Sequence, residues 1–568
     1  MEKLLSRNWF CVGCIIFLTL GVWGRSAGYG FVYDDDILVS QNRAIRSVRN
    51  IPGFFWRRDL QSSEAEPSSY RPVRNSVYAL LYAADGQETP RPWIFHLNNV
   101  LWHAAAAALL FQAALLLWGR LGLTTARRGA ALLLALGFAA HPVLCEAVCY
   151  VKCLDDLLAG VFVLAALGAL LRWNGTGRGY AWALGWFLLA SFAKESAAPF
   201  APVVFFVLLG FHRLPWRRCL ALTAPFLGVA LFYAVTRHCI MGRTTQYAPI
   251  SGSYGQTLID MLPVATEYLR LLWGVPPFCA DYNYMVSQPP YALFSGAALG
   301  GASLIVLTVV LAAGLWRQPE WRLAGFGLGW IGLFLLPVSN LLPMMQYMAE
   351  RFLYLPLMGF LLALAAAMLK FSAPRLAAAA GAALVVVWAG TSLEHEGIWR
   401  DDLTLFVRTE LEFPGSPRQE QNAVSAIFHL PQMRPLFPEH EKTGNWQMAK
   451  SLTPAQADPI VATLQEARRL FPGMDVFTTE LAFVEAKAGR WPEAVEMAEM
   501  AARQNPGSAT NQFNLAGLSL GAGEPGRARA ACAEALRLQP DFAQAKVLQA
   551  RIEAALEAAP QKASSPGN

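Results

Sequence analysis

Charge is what this chain has least of. Of its 568 residues, 15% are Asp, Glu, Lys or Arg and 55% are hydrophobic, against roughly 25% charged in an ordinary soluble domain. A protein soluble along its whole length is therefore excluded, and a membrane protein is expected. The net charge is only +6, and the arginines are scattered through short loops rather than gathered in a stripe, which excludes nucleic acid as a partner. The nine cysteines show no metal-finger spacing, so a zinc finger is excluded as well. His141, Cys145, Cys149 and Cys153 recur every four residues, which would set them along one slanting helix face. Small apolar cysteines packing between helices are preferred there to a soft-metal site.

Long polar stretches are scarce as far as about Ser392, and beyond it the apolar density falls, so two parts are expected. Met1 to Gly24 opens with Lys3 and Arg7 and continues through apolar residues from Trp9 to Trp23. Arg25-Ser26-Ala27 places Arg where a signal-peptide cleavage site wants a small residue, so the segment is read as an uncleaved anchor with its N-terminus inside. Apolar runs over Trp93–Trp118, Gly129–Tyr150, Leu157–Trp173, Tyr180–Phe192, Ala197–Phe211, Cys219–Thr236, Ala292–Trp316, Leu323–Leu342, Phe352–Leu369 and Leu376–Ser392 bring the total to about eleven spans. Arg120, Arg127 and Arg128, Arg172 and Arg178, Arg213, Arg217 and Arg218, Arg317 and Arg322, and Lys370 and Arg375 then fall in alternate loops, as cytoplasmic loops should. The opposite loops hold Asp34 to Asp36, Lys152 to Asp156, Lys194-Glu195, a long segment from Arg237 to Tyr291, and Glu350-Arg351. The candidate chemistry is expected on the outer face. Thr257–Gly274 mixes Asp260, Glu267 and Arg270 with leucines and is read as an interfacial amphipathic helix.

Asp34, Asp35 and Asp36 follow the first apolar run directly. Adjacent carboxylates raise one another's pKa and resist burial, so the run must meet water, a cation or a polar reactant. A membrane enzyme could keep its general base there, and a solvated acidic turn is the competing reading. Trp56-Arg57-Arg58-Asp59, Tyr70-Arg71-Pro72 and Phe95-His96-Leu97-Asn98-Asn99 add cations for phosphate and amides for hydroxyl groups.

Past Ser392 the chain is read as a linker over 393–440, with a Pro-rich piece from Leu430 to Pro438, and then as a helical region over 441–558. Pro472, Pro506 and Pro540 stand 34 residues apart, and Leu481 matches Leu515 while Ala494 matches Ala528. That is the tetratricopeptide period. Two repeats are clear, 475–507 and 509–541, with Gly489 and Gly523 at the turn inside each. Phe542–Ala558 is expected to cap the stack, and 559–568 to be a disordered tail. Such a stack offers a groove for a partner protein, for which the polar Asn511 and Asn514 are candidate lining residues.

With the Asp run, Tyr70-Arg71-Pro72, Phe95-His96-Leu97-Asn98-Asn99 with His103, His141-Pro142 with Glu146-Ala147-Val148, Ala193-Lys194-Glu195, and Glu350-Arg351-Phe352-Leu353-Tyr354-Leu355-Pro356, the chain resembles a known family. It looks like the transmembrane-and-tetratricopeptide-repeat O-mannosyltransferases and their bacterial relatives, over almost its whole length and in the same order. The resemblance implies an all-α polytopic GT-C fold over 1–392, with 29–92 as the first extracytoplasmic loop. It implies also a polyprenyl-phosphate-linked hexose donor such as a mannosyl lipid, and inverting transfer to a hydroxyl of a protein or glycan acceptor outside a plasma or inner membrane. Two departures stand out. Leu154 occupies a position where relatives usually carry Arg, for which Lys152 is the substitute at hand, and the repeat array is short.

On this reading one of Asp34, Asp35 and Asp36 is the general base, with Asp35 placed first. Arg71 and Arg351 meet the leaving phosphate, their competing roles being buried pairs with Asp59 and Glu350. His96, Glu146, Lys152, Lys194, Glu195 and Glu350 complete the donor-binding set. No cofactor or metal is assigned; a divalent cation on the three carboxylates is set aside, since relatives of this type are thought to work without one. A non-catalytic scaffold displaying repeats for envelope assembly is the alternative. A transporter is disfavoured because the spans show no internal repetition.

Overall fold

The computed structural model describes residues 8–62, 69–122, 127–242, 247–282, 290–370, 373–412, 417–428, 430–436 and 448–558, and these contain helices and no strand. Lys3, Arg7, the last residues of the expected linker and the tail past Ala558 lie outside them. The chain divides into two compact units, Met1–Ser416 and Pro417–Asn568.

In the first unit α1 (Asn8–Trp23) leads into a loop of short helical turns, followed by α2 (Pro72–Asp85), α3 (Pro92–Arg120), α4 (Arg127–Ala139), the single turn α5 (Cys145–Cys149), α6 (Leu154–Arg172), α7 (Gly177–Ala193) and α8 (Phe200–Gly210). Then come α9 (Trp216–Met241), α10 (Tyr254–Leu272), α11 (Gly296–Arg317), α12 (Arg322–Leu335), α13 (Tyr354–Met368), α14 (Pro374–His395) and α15 (Asp402–Glu412). A helix stands at each of the expected spans. Among the described residues, seven helices are long and apolar enough to cross a membrane, and a bent pair built on α4 and α5 makes a further candidate. The unit is a polytopic helical membrane domain. α6 lies at its centre: 89% of the apolar stretch within 151–172 is buried, against 11% of that within α11. On α11, Val306, Val309 and Val310 are each about three-fifths exposed, a surface suited to lipid and not to water.

Two local causes shape the bundle. Pro142 lacks an N–H and disfavours helix in the residue before it, so the expected span over Gly129–Tyr150 breaks and bends by 48°. The break also undoes the regular cysteine face, because 142–144 and 151–153 are 3₁₀ turns on either side of α5. Cys145, Cys149 and Cys153 are buried, and His141 is taken up by the Leu272 carbonyl, 3.1 Å from its Nε2. Elsewhere glycine sets the packing distance. A Cβ at Gly359 of α13 would lie 2.5 Å from the carbonyl oxygen of Gly327 on α12, so the two backbones touch where side chains would hold them apart.

Residues 393–412, expected as the start of a linker, are instead built into the first unit. The Gly30 N–H donates to the Arg400 carbonyl (2.9 Å), the Tyr33 N–H to Asp402 Oδ1 (2.7 Å), and Trp399 stacks on Tyr150 with ring centroids 5.3 Å apart. The fall in apolar density marks the end of the apolar spans, not the end of packing.

The second unit contains α16 (Pro417–Phe428), α17 (Pro454–Leu470), and the pairs α18 (Asp475–Lys487) with α19 (Trp491–Gln504) and α20 (Ala509–Gly521) with α21 (Pro525–Leu538), closed by α22 (Ala543–Ala558). Leu481, Ala494, Leu515 and Ala528 are all buried, and Gly489 and Gly523 take φ values of +78° and +79° at the turns, which glycine adopts freely. Asn511 departs from expectation. It is buried, and its amide donates to Asp475 Oδ2 (2.6 Å) and the Ala501 carbonyl (3.2 Å), binding neighbouring repeats together instead of lining a groove. Asn514 is half-buried.

Overpacking the α12–α13 crossing tests this account. Gly359→Val should cost on the order of 1–3 kcal/mol and lower the thermal unfolding midpoint in detergent, whereas Gly390→Val, with no neighbour near its Cβ position, should leave the midpoint in place.

Candidate active site

The loop after α1 is organised from its acids inward. Tyr33 takes a left-handed φ of +57°, strained for a bulky residue, and its ring packs against Tyr150 and Phe406. The turn separates its three carboxylates. Asp35 is fully buried and accepts from the backbone N–H of Val32 (3.2 Å) and of Lys152 (2.8 Å). Burial pushes its pKa well above the usual carboxylate range. Asp36 is exposed, at the head of the next turn. Asp34 lies between these extremes: its side chain is 36% exposed and pairs with the Lys152 ammonium, itself 29% exposed, while its N–H donates to the Tyr150 hydroxyl (3.0 Å).

A second network lies one helical turn further along. Arg71 donates from Nε to Asp155 Oδ2 (3.0 Å), from Nη2 to Glu195 Oε1 (2.8 Å) and from Nη1 to the Tyr70 carbonyl (3.0 Å). Burial alone would lower the Arg71 pKa, but Glu195 and Asp155 together hold it above its ordinary value. Arg74, also buried, stands 3.6 Å from Asp155 Oδ2, and Lys194 bridges Asp155 and Asp156. Each of the three carboxylates thus meets a cation, as burial requires, and Arg237 adds a further positive charge near Glu195. Glu195 is the accessible member, with 44% of its side chain exposed, and the Tyr233 hydroxyl lies 3.4 Å from its Oε2.

The partners foreseen for the two arginines are different in the structure. Asp59 pairs in the open with Arg57, not with Arg71. Arg351 pairs with Glu146, which also accepts from the Arg351 N–H (2.8 Å), and its guanidinium donates to Gln346 as well. Glu350 points elsewhere: fully buried, it accepts from the Cys279 N–H (2.8 Å) and the Tyr282 hydroxyl (2.7 Å). His96, at the start of α3, is buried with Nε2 3.0 Å from the Gly30 carbonyl, and the Asn99 amide donates to the Tyr150 carbonyl (3.1 Å). These two anchor the loop and the broken span to α3. Among the described residues, no group of three or more His, Cys, Asp or Glu side chains is placed to hold a metal ion.

Tyr150, Lys152, Asp155 and Asp156 are thus the segment on which the acids, Arg71 and Lys194 converge. Sequence reasoning placed Asp155 and Asp156 in an outer loop without giving them a role, and passed over Arg74 and Tyr233. The signal for the first two was present, since adjacent carboxylates at the head of an apolar run demand partners as strongly as Asp34 to Asp36 do. Arg74 and Tyr233 carried no local signal.

Comparisons with known proteins agree with the motifs. A family model described as tetratricopeptide repeat matches residues 485–552. The chain is 31% identical over 174 residues to protein O-mannosyl-transferase TMTC4 of Mus musculus, covering 28% of this chain and 23% of that protein. It is 28% identical over 250 residues to protein O-mannosyl-transferase tmtc2 of Xenopus laevis, covering 41% and 27%. With protein O-mannosyl-transferase F38B6.6 of Caenorhabditis elegans it shares 23% identity over 404 residues, 69% of this chain and 56% of that one. Matched regions thus span about a quarter of the first two relatives and just over half of the third. The resemblance to the transmembrane-and-tetratricopeptide-repeat O-mannosyltransferases is borne out.

Removing a carboxylate from the network should strand its cations. Asp155→Ala should destabilise the protein by on the order of 3–5 kcal/mol, read as a large fall in the unfolding midpoint. Asp59→Ala, whose partner is in solvent, should leave the midpoint unchanged.

Proposed function

We propose that the protein is an inverting glycosyltransferase that moves a mannosyl residue from a polyprenyl-phosphate donor to a hydroxyl of a protein acceptor. The names of its relatives support mannose and a protein acceptor. The observation that carries the reading is Asp34, a half-exposed carboxylate on a strained turn, fixed by Lys152 and Tyr150 beside a buried network of ion pairs.

In this mechanism Asp34 takes the proton of the acceptor hydroxyl, the oxygen attacks C1 of the sugar, and the C1–O bond to phosphate breaks with its electron pair leaving on the phosphate. Asp35 is sequestered, with both carboxylate oxygens engaged by backbone N–H groups, and its part is to hold the turn. Arg71 and Arg351 are the cations for the departing phosphate, their guanidinium planes preset by Asp155, Glu195 and Glu146 so that little reorganisation is needed. Lys152 supplies a further positive charge near the base, where Leu154 leaves the neighbouring position apolar. Glu195 and Lys194 orient donor or acceptor at the accessible edge, while His96 and Glu350 act through the backbone they fix. The sugar transfer belongs to the outer side of the membrane, with the N-terminus inside, and the repeats are the surface that engages the protein acceptor or a partner.

Purified full-length chain in lipid nanodiscs, given polyprenyl-phosphate mannose labelled in the sugar, tests the reading. Asp34→Asn should lower transfer by roughly 100-fold or more, the scale of a lost general base, with folding intact, while Asp36→Asn should keep most of it. Transfer undiminished in Asp34→Asn would remove Asp34 from the base role. Orientation has its own measurement. Gln539→Cys, at an exposed position after α21, should react with an impermeant thiol reagent in intact cells once the native cysteines are replaced, and labelling only after lysis would put the repeats inside.

A further inference from the structure

At the other end of the bundle, the ends of α1, α3, α4 and α6 frame a groove of about 520 Å³ lined by Asn8, Leu115, Leu116, Gly119, Arg120, Arg128 and Leu171. Between His96, near the acidic turn, and Arg120 α3 runs 24 residues, roughly 36 Å at 1.5 Å per residue, so the groove belongs to the opposite membrane boundary. Its two arginines differ in what they already do. Arg120 is committed to the C-terminus of α6, donating from Nε (3.1 Å) and Nη2 (2.6 Å) to the Leu171 carbonyl and from Nη2 to that of Trp173 (3.1 Å). Among the described residues Arg128 has no such commitment: its Nε is buried without a hydrogen-bond partner there, and its guanidinium has no ion-pair partner.

A cation with a desolvated, unmatched donor above a wall of leucines is an incomplete arrangement, and an anion completes it. We infer that this groove binds one anionic phospholipid, with its phosphate on Arg128 and the Asn8 amide and an acyl chain along the partly exposed Leu115 and Leu116. Lipid is favoured over free phosphate because the leucine wall adjoins apolar spans that end at the same boundary. The site is independent of the sugar-transfer chemistry and would anchor the ends of four helices, including α6, whose other end carries Asp155 and Asp156.

The test is native mass spectrometry of the full-length chain released from micelles doped with phosphatidylglycerol or with phosphatidylcholine of the same acyl chains. Selective retention of a single phosphatidylglycerol is expected. Arg128→Gln should lower that retention roughly 10-fold, the scale of one charge-assisted contact, whereas Arg128→Lys should preserve much of it. Leu116→Trp, which fills the groove and leaves every arginine in place, should displace the lipid too. Arg317→Gln, an exposed arginine at another helix end, should change nothing. Equal retention of the two lipids, unchanged retention in Arg128→Gln, or displacement of phosphatidylglycerol by millimolar inorganic phosphate would each overturn the assignment.

Discussion

Charge buried in a low-dielectric bundle must be matched, and in this protein the matching is concentrated on the segment from Tyr150 to Asp156. Lys152 meets Asp34 and, through its N–H, Asp35; Asp155 meets Arg71 and Arg74; Lys194 meets both Asp155 and Asp156. An isolated charge there would carry a desolvation cost of several kcal/mol, so each pairing restricts where its neighbours can stand. The loop after α1, the start of α2 and the end of α7 are all drawn to one place as a result.

The break at His141-Pro142 makes this convergence available. A continuous helix would carry the residues after it onward along one axis, whereas the bend and the 3₁₀ turns that follow bring Glu146 to Arg351 and Lys152 to the acids before α6 begins. The conformational cost is met by dense packing. Val143, Leu144, Cys145, Ala147, Val148, Cys149 and Val151 have no exposed surface. What the cysteines contribute is small apolar volume in a region where the chain turns repeatedly.

Buried charge and outward apolar surface are concentrated on different helices, with Tyr233 of α9 reaching the charged network from an otherwise outward-facing helix. α6 and α3 carry the charged and amide side chains at one end and are largely covered, while α9, α11 and α14 present leucine and valine outward and bury little. The second unit follows a different rule, with small residues such as Ala494, Ala498, Ala528 and Ala531 allowing paired helices to pack closely, and Asn511 binding one repeat to the next. A polar residue on a first repeat helix is thus no sign of a groove by itself. Whether it lines a surface depends on what the neighbouring repeat places opposite.

Composition and period, read alone, determined the helical membrane character, the position of each apolar helix and the repeats over 475–541, because lipid solvation and a 34-residue stacking unit leave their marks directly in residue order. The motifs also singled out Asp34, Arg71, Glu146, Lys152, Lys194, Glu195 and Arg351 one by one. The pairing among them was decided only by tertiary structure. Arg71 chose Asp155 and Glu195 over the nearer Asp59, and Arg351 chose Glu146 over the adjacent Glu350. Which carboxylate of the Asp run is buried was decided in the same way, by a left-handed Tyr33 and a backbone N–H that lies 117 residues further along the chain. Sequence proximity ranks partners by covalent distance, and ion pairs in a folded bundle obey distance through space.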